Sequence, residues 1–218
     1  MKIRYLGHAA FELSLEDGKK VVFDPYESGA YDGALAYGPI TGAYDLAVVS
    51  HDHADHCCDS VTSKARKVVD RTGEFDFEGV KIATVPTFHD ESKGSERGKN
   101  LLAVIEVEGM KIAHLGDLGH ALSAEEIKAL KGVDVVLIPV GGHFTIDART
   151  AADVIAAIEP KLIIPMHFKT DKVNFPIKPV EEFTSLMENV EETGGSEITI
   201  TKADIPAERK VVVLEPAL

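Results

Sequence analysis

Residues 50–56 read Ser50-His51-Asp52-His53-Ala54-Asp55-His56, directly after the apolar run Leu46-Ala47-Val48-Val49. Residues 44–50 have the pattern of a buried strand, so the histidines sit where that strand ends. In extended chain, side chains at i, i+2 and i+4 share one side, which converges His51, His53 and Asp55. A helix cannot do this, because i and i+2 do not face together. Asp55 and His56 are neighbours and reach one site only if the chain bends, which a helix starting near residue 56 would supply. Two side chains then aim at one metal ion and two at a neighbouring one. Imidazole is the commonest metal ligand, and a solvated loop seldom gathers three with two aspartates at this spacing.

Further along the chain, three more candidate ligands lie just past predicted strands. His89 follows Ala83-Thr84-Val85-Pro86-Thr87-Phe88, Asp117 follows Met110 to Gly116, and His167 follows Lys161 to Met166. Open α/β sheets gather site residues at the carboxyl ends of their strands. Together with the cluster they complete two metal spheres.

The rest of the chain reads as short apolar strands ending in polar loops. Strands are expected at 10–15, 19–23, 67–71, 75–77, 80–86, 101–107, 110–115, 133–140, 161–166, 197–201 and 209–215, with an alternating N-terminus as well. Residues 25–43, rich in Gly and Tyr, read as a long and functional loop. Ser123 and Glu126 form a capping-box signature, predicting a helix over 123–131. Further helices are expected at 147–158, stopped by Pro160, and at 178–190. Cys57 and Cys58 are expected as small buried residues at a helix start. Sheets with helices outside are the natural architecture, and residues 1–218 are expected to form a single domain.

The pattern His51-x-His53-x-Asp55-His56, then His89, Asp117 and His167, resembles the metallo-β-lactamase-fold superfamily. The nearest resemblance is to small bacterial and archaeal metal-dependent hydrolases related to the L-ascorbate-6-phosphate lactonase group. Leu6-Gly7-His8, Phe23-Asp24-Pro25, Gly116-Asp117, Pro139 to Gly142 and Pro165-Met166-His167 extend it along nearly the whole chain. The resemblance implies an α+β, four-layer αββα sandwich holding two divalent ions. Zinc is expected first, with manganese, iron, cobalt or nickel as alternatives. His51, His53 and His89 would hold the first ion and Asp55, His56 and His167 the second, with Asp117 bridging. Asp24 would support the histidines by hydrogen bonds. Asp55 is the expected catalytic group, orienting a metal-activated water for attack on a carbonyl or phosphoryl centre.

His8, Arg97, Asn100 and His143 are candidates for contact with substrate, Arg97 through an anionic group. Glycines 141 and 142 serve either the pocket or a tight turn. His114 is expected to be structural, and His120 lies near Asp117 without an assigned role. The net charge of −13 argues against nucleic-acid and anionic-membrane partners. No stretch reaches the ~20 apolar residues of a membrane span. The N-terminus lacks the apolar core of a signal peptide, so a cytoplasmic location is expected. The expected activity is hydrolysis of a small, anionic ester, lactone or phosphoester, by a protein that can form homo-oligomers. The alternatives are a phosphodiesterase or nuclease of the same fold, and a metal-binding regulatory protein without turnover.

Overall fold

The computed structural model describes residues 1–218. Its elements, in chain order, are β1 Lys2–Gly7, β2 Ala10–Ser14, β3 Lys20–Phe23, α1 Ala30–Gly33, β4 Leu46–Val48, α2 Asp59–Thr62, β5 Lys67–Val69, β6 Gly73–Phe77, β7 Val80–Phe88, β8 Lys99–Val107, β9 Met110–His114, α3 Ala124–Leu130, β10 Val135–Pro139, α4 Ala148–Ile158, β11 Leu162–Met166, α5 Glu181–Thr184, β12 Val190–Glu192, β13 Glu197–Thr199 and β14 Lys210–Val213. One sheet has the order β13-β1-β2-β3-β4-β5 and the other β12-β14-β11-β10-β9-β8-β7-β6.

Period-two alternation builds the sandwich. On the first sheet Ile3, Tyr5, Phe11, Leu13, Val21, Phe23, Leu46 and Val48 point into a cluster of 46 buried residues shared with the second sheet. Their neighbours Leu6, Ala10, Val22 and Ala47 point the other way, into a separate cluster of 13. Strands β10 and β11 are buried at every position, as expected for strands covered on both faces. Their outer cover is α3 and α4, whose Leu130, Ala151, Val154, Ile155 and Ile158 join the large cluster. The two outer layers are unequal. Over the first sheet, α1 and α2 are one-turn segments, and Tyr26, Leu35, Tyr37, Ile40 and Tyr44 from the long loop do much of the covering.

Local signals hold where the chain can satisfy them alone. Ser123 caps α3, accepting from Glu126 N at 3.3 Å, while Glu126 Oε2 accepts from Ser123 N at 2.7 Å. Asp147 caps α4 by accepting from Thr150 N at 2.8 Å. The helix expected over 178–190 is a correction: only Glu181–Thr184 is helical. Residues 190–192 instead pair in parallel with β14, which would otherwise be the edge of its sheet. Tertiary pairing there outweighs helical periodicity. Cys57 and Cys58 are half-buried free thiols preceding α2 rather than core residues. No helix is long and apolar enough to cross a membrane.

Topology decides where the site forms. Antiparallel β1-β2-β3 and parallel β3-β4 make β1, β3 and β4 run the same way. By the same logic β7, β9, β10 and β11 share one direction. Each of these two sets therefore ends at a single edge of its sheet.

Candidate metal centre

Each candidate ligand leaves the end of one of those strands: His8 after β1, Asp24 after β3, residues 51–56 after β4, His89 after β7, Asp117 after β9 and His167 after β11. Three of these exits are left-handed, with φ of 56° at His8, 41° at Asp24 and 52° at His167. Non-glycine residues adopt this conformation at a cost of order 1 kcal/mol, and such positions concentrate at functional sites. Here the turn swings each side chain off its strand toward the neighbouring sheet.

Residues 51–56 do not run extended throughout. His56 N and Cys57 N both donate to His53 O, at 2.9 and 2.8 Å, closing a turn. That turn, rather than a helix at residue 56, supplies the bend, and α2 begins only at Asp59. It corrects the expected convergence of Asp55 with His51 and His53. The ligand atoms of His51, His53 and His89 lie within 4.8 Å of one another, while those of Asp55, His56 and His167 form a second group with His8. A third group joins His51, His56 and Asp117. Asp117 Oδ2 is the hub: it lies 3.0 Å from His89 Nε2, 3.1 Å from His56 Nε2, 3.5 Å from His167 Nε2 and 4.0 Å from His51 Nε2.

The supporting contacts explain which ring nitrogens face the centre. Buried Asp24 accepts from Ser50 N at 2.7 Å and from Ser50 Oγ at 2.6 Å. Because Ser50 Oγ donates there, His51 Nδ1 donates to it at 2.9 Å, leaving Nε2 as the outward acceptor. Asp24 Oδ2 also takes His56 Nδ1–H at 2.8 Å, which turns His56 Nε2 inward. Asp24→Asn should keep the bond from Ser50 N but offer His56 Nδ1 a donor in place of an acceptor. Chelator competition should then read a metal affinity about 10–100-fold weaker, with little change in the thermal midpoint of the metal-free protein. Unchanged affinity would remove Asp24 from this role.

Several buried atoms here have no hydrogen-bond partner: His56 Nε2, His167 Nε2 and Asp117 Oδ1. Buried polar atoms are almost always bonded, so orphans converging within a few ångströms call for a shared partner. Imidazole nitrogens and carboxylate oxygens together fit a borderline divalent cation.

Charge balance follows the same geometry. Burial disfavours the His56 imidazolium, yet the carboxylates of Asp117 and Asp55 outweigh it and hold its pKa well above the ordinary value. For Asp117, burial is outweighed by His167 and His56, which keep the carboxyl well below the usual range. Asp55 is likewise depressed, by His56 and His8 against burial. Burial and the charge of His56 push His51 down to about 3. Both carboxylates are therefore ionised and His51 is neutral, the forms that bind metal, whereas His56 would release a proton on binding it.

The expected substrate contacts divide. Arg97 lines a cavity of about 490 Å³ over the cluster, with His53, Asp55, His89 and Asp117 on its floor. His8 does not line it. It is fully buried, donates from Nε2 to Asp55 Oδ2 over 3.0 Å, and its ring lies 4.1 Å from that of His167, tilted by 45°. Asn100 is also fully buried, and its amide is consumed by Thr87 Oγ1, Leu115 O and Asp117 N at 2.9, 3.0 and 2.9 Å. It positions Asp117 rather than substrate. His143 is exposed outside the cavity, edge-on to Phe144 at 4.5 Å. Gly141 serves close packing, since a Cβ there would meet His167 O at 2.2 Å. His114 is structural: Nε2 meets Ala9 O at 2.8 Å and the ring stacks on Phe23. His120 accepts from Phe88 N at 3.3 Å, steadying the strand end before His89.

Sequence reasoning missed Asp90, which accepts from the backbone N–H of Ser92, Gly94, Glu96 and Arg97 at 2.8–3.1 Å. It folds the loop that delivers Arg97 to the cavity. An Asp opening a polar, Gly-containing loop was its only signal. Tyr31, which helps wall the cavity, lies in the 25–43 loop expected to be functional, whereas its fellow wall residues Phe144 and Phe175 carried no signal.

Comparison with known proteins agrees with this geometry. The family described as the beta-lactamase superfamily domain matches residues 2–167. A "UPF0173 metal-dependent hydrolase" from Thermococcus onnurineus is 33% identical over 195 residues, covering 78% of this chain and 85% of that protein. The crystal structure of a protein from Thermotoga maritima, described as a candidate Zn-dependent hydrolase of the metallo-β-lactamase superfamily, superposes with a TM-score of 0.79. It is 37% identical and covers 98% of each chain. Igni18, a metallo hydrolase from Ignicoccus hospitalis, has a TM-score of 0.66 over 99% of this chain and 95% of its own, and at 24% identity it speaks for the fold alone. With its αββα sandwich and its histidine and aspartate cluster at the strand ends, this chain belongs to the metallo-β-lactamase superfamily, among its metal-dependent hydrolases.

Proposed function

We propose that the chain is a binuclear hydrolase of small esters, lactones or phosphoesters. His51, His53 and His89 would hold one divalent ion, and Asp55, His56 and His167 the other. Asp117 would lie between them. The observation that carries this is the position of Asp117 Oδ2, within 3.0–4.0 Å of imidazoles from both groups. Zinc suits the nitrogen-rich set, and a pair of such ions supplies Lewis acidity and an activated water at neutral pH.

The remaining work falls to the chain. Asp55 keeps its charge, and its Oδ1 faces the cavity side, where Tyr31 OH donates to it at 2.9 Å. It can therefore orient a nucleophilic water by accepting a hydrogen bond from it. His8 holds the opposite oxygen, Oδ2, and fixes the carboxylate plane. Asn100 fixes Asp117 through its backbone. A nuclease is disfavoured because Arg97 is the only Arg or Lys lining the cavity and the net charge is −13. Two free thiols suit a reducing, cytoplasmic setting.

The test is elemental analysis of purified protein with a panel of phosphodiesters, lactones and carboxylic esters. Two metal equivalents per chain and cleavage abolished by chelator are expected. Chelation should also lower thermal stability, since a ligand at 100-fold its Kd contributes about 2.7 kcal/mol. Stoichiometric metal with no turnover on any substrate would favour the regulatory alternative.

A further inference from the structure

The cavity over the cluster has a composition that narrows what can enter it. Its walls are Tyr31 from the long loop, Phe144 from the turn after β10 and Phe175 from the segment after β11. Phe175 sits centrally, 5.5 Å from Tyr31 and 5.6 Å from Phe144, edge-on to both at 71° and 79°. Such edge-to-face contacts join the three rings into one contiguous apolar wall, and the cavity beside it is an aromatic-walled slot. Arg97 closes one side, its guanidinium carbon 5.8 Å over the Phe144 ring. Glu96 approaches it only at 3.9 Å and is itself exposed, so Arg97 keeps donors for another partner.

Tyr31 differs from the other walls. It is 49% exposed, the highest value among the large apolar side chains. Both it and Asp32 take left-handed backbone, with φ of 55°. Backbone strain at a cavity rim is typical of ligand clamps. Its hydroxyl is tied to Asp55, so the apolar wall and the reacting end are mechanically linked.

We propose that this slot selects substrates bearing an aryl-sized, flat apolar group beside an anionic group, the ring held by Tyr31, Phe144 and Phe175 and the anion by Arg97. This rests on the hydrolase assignment for its chemistry but not for its binding. Polyhydroxylated substrates are disfavoured: apart from Arg97 and Glu96, the polar groups of the cavity are those of the metal-ligand floor and the Tyr31 hydroxyl. A hydroxyl-rich ring would lose water without gaining bonds at the walls.

The test is calorimetric binding of phenylphosphonate and methylphosphonate to the metal-loaded protein, which needs no turnover. Phenylphosphonate should bind at least about tenfold more tightly. Phe175→Ala and Phe144→Leu should each erase most of that preference while leaving methylphosphonate unchanged. Arg97→Ala should weaken both phosphonates by a similar factor of about ten. Circular dichroism and metal content establish that each variant is folded and loaded. Equal binding of the two probes to the native protein would overturn the slot, and indifference of both to Arg97→Ala would overturn the anion site. If binding follows the proposal but no ester or phosphoester is cleaved, the hydrolase assignment fails and the slot stands.

Discussion

Asp117→Asn should lower turnover by at least about a thousandfold and reduce metal content from the proposed two equivalents to one or none. The substitution preserves shape, so packing is not what it tests. The carboxylate lies within 3.0–4.0 Å of four imidazoles, drawn from both ligand groups. An amide there supplies one neutral acceptor and points two N–H bonds at nitrogens that must themselves act as acceptors toward metal. In the proposed binuclear centre, losing the shared anion would also leave two nearby cations unscreened, which would disfavour the second more than the first. A thousandfold is about 4 kcal/mol of barrier, within what an electrostatic group at a water-excluded centre contributes. The fold should survive, because Asp117 is not part of the 46-residue apolar cluster. Metal analysis, kcat and circular dichroism on one preparation decide the matter. Two tightly bound metals with near-native kcat would defeat the bridging assignment.

Gly119→Ala is expected to be damaging for a different reason. A Cβ at residue 119 would lie 2.2 Å from His89 C and 2.3 Å from Asp90 N, both backbone atoms. Gly119 N also donates to Phe88 O at 3.0 Å, so the two segments are clamped together. No rotamer change relieves a clash with main chain, and one of the segments must move. Overpacking of this kind costs typically 1–3 kcal/mol, which corresponds to a fall in Tm of several degrees for a chain of this length. The displaced segment carries His89 and begins the Asp90 turn that positions Arg97. Displacements near 1 Å cost about a hundredfold in rate at a preorganised site. Turnover should therefore fall by two orders of magnitude or more, with weakened metal binding. Gly195→Ala is the control, since nothing lies within 4 Å of its Cβ position and both quantities should stay unchanged. Native activity and Tm in the Gly119 variant would mean that the 88–90 segment is free to yield.

These two residues differ in how far the sequence announced them. Asp117 was legible as an aspartate closing a predicted strand, in step with His89 and His167. Gly119 was one glycine among 18, and its significance is a distance to a segment thirty residues away. Asn100 sits between these cases. Its place beside Arg97 suggested substrate, but burial committed all of its amide to Thr87, Leu115 and Asp117. His8 moved in the same direction, from an expected substrate contact to a partner of Asp55 in the buried group.

What the chain alone determined is whatever rests on local periodicity and on scarce chemistry. Alternating apolar residues set the strands, the Ser123 and Glu126 pair set α3, and histidines with aspartates at strand ends marked the cluster. Those signals are local because side-chain period and capping bonds span only a few residues. Tertiary structure alone decided the rest: the turn at residues 53–56 that divides the ligands, the left-handed exits at His8, Asp24 and His167, the pairing of β12 with β14, and the meeting of Tyr31, Phe144 and Phe175 around Arg97. Each of these depends on contacts between segments far apart in the chain. Their free energy exists only once both partners are in place, so no short window of sequence contains it.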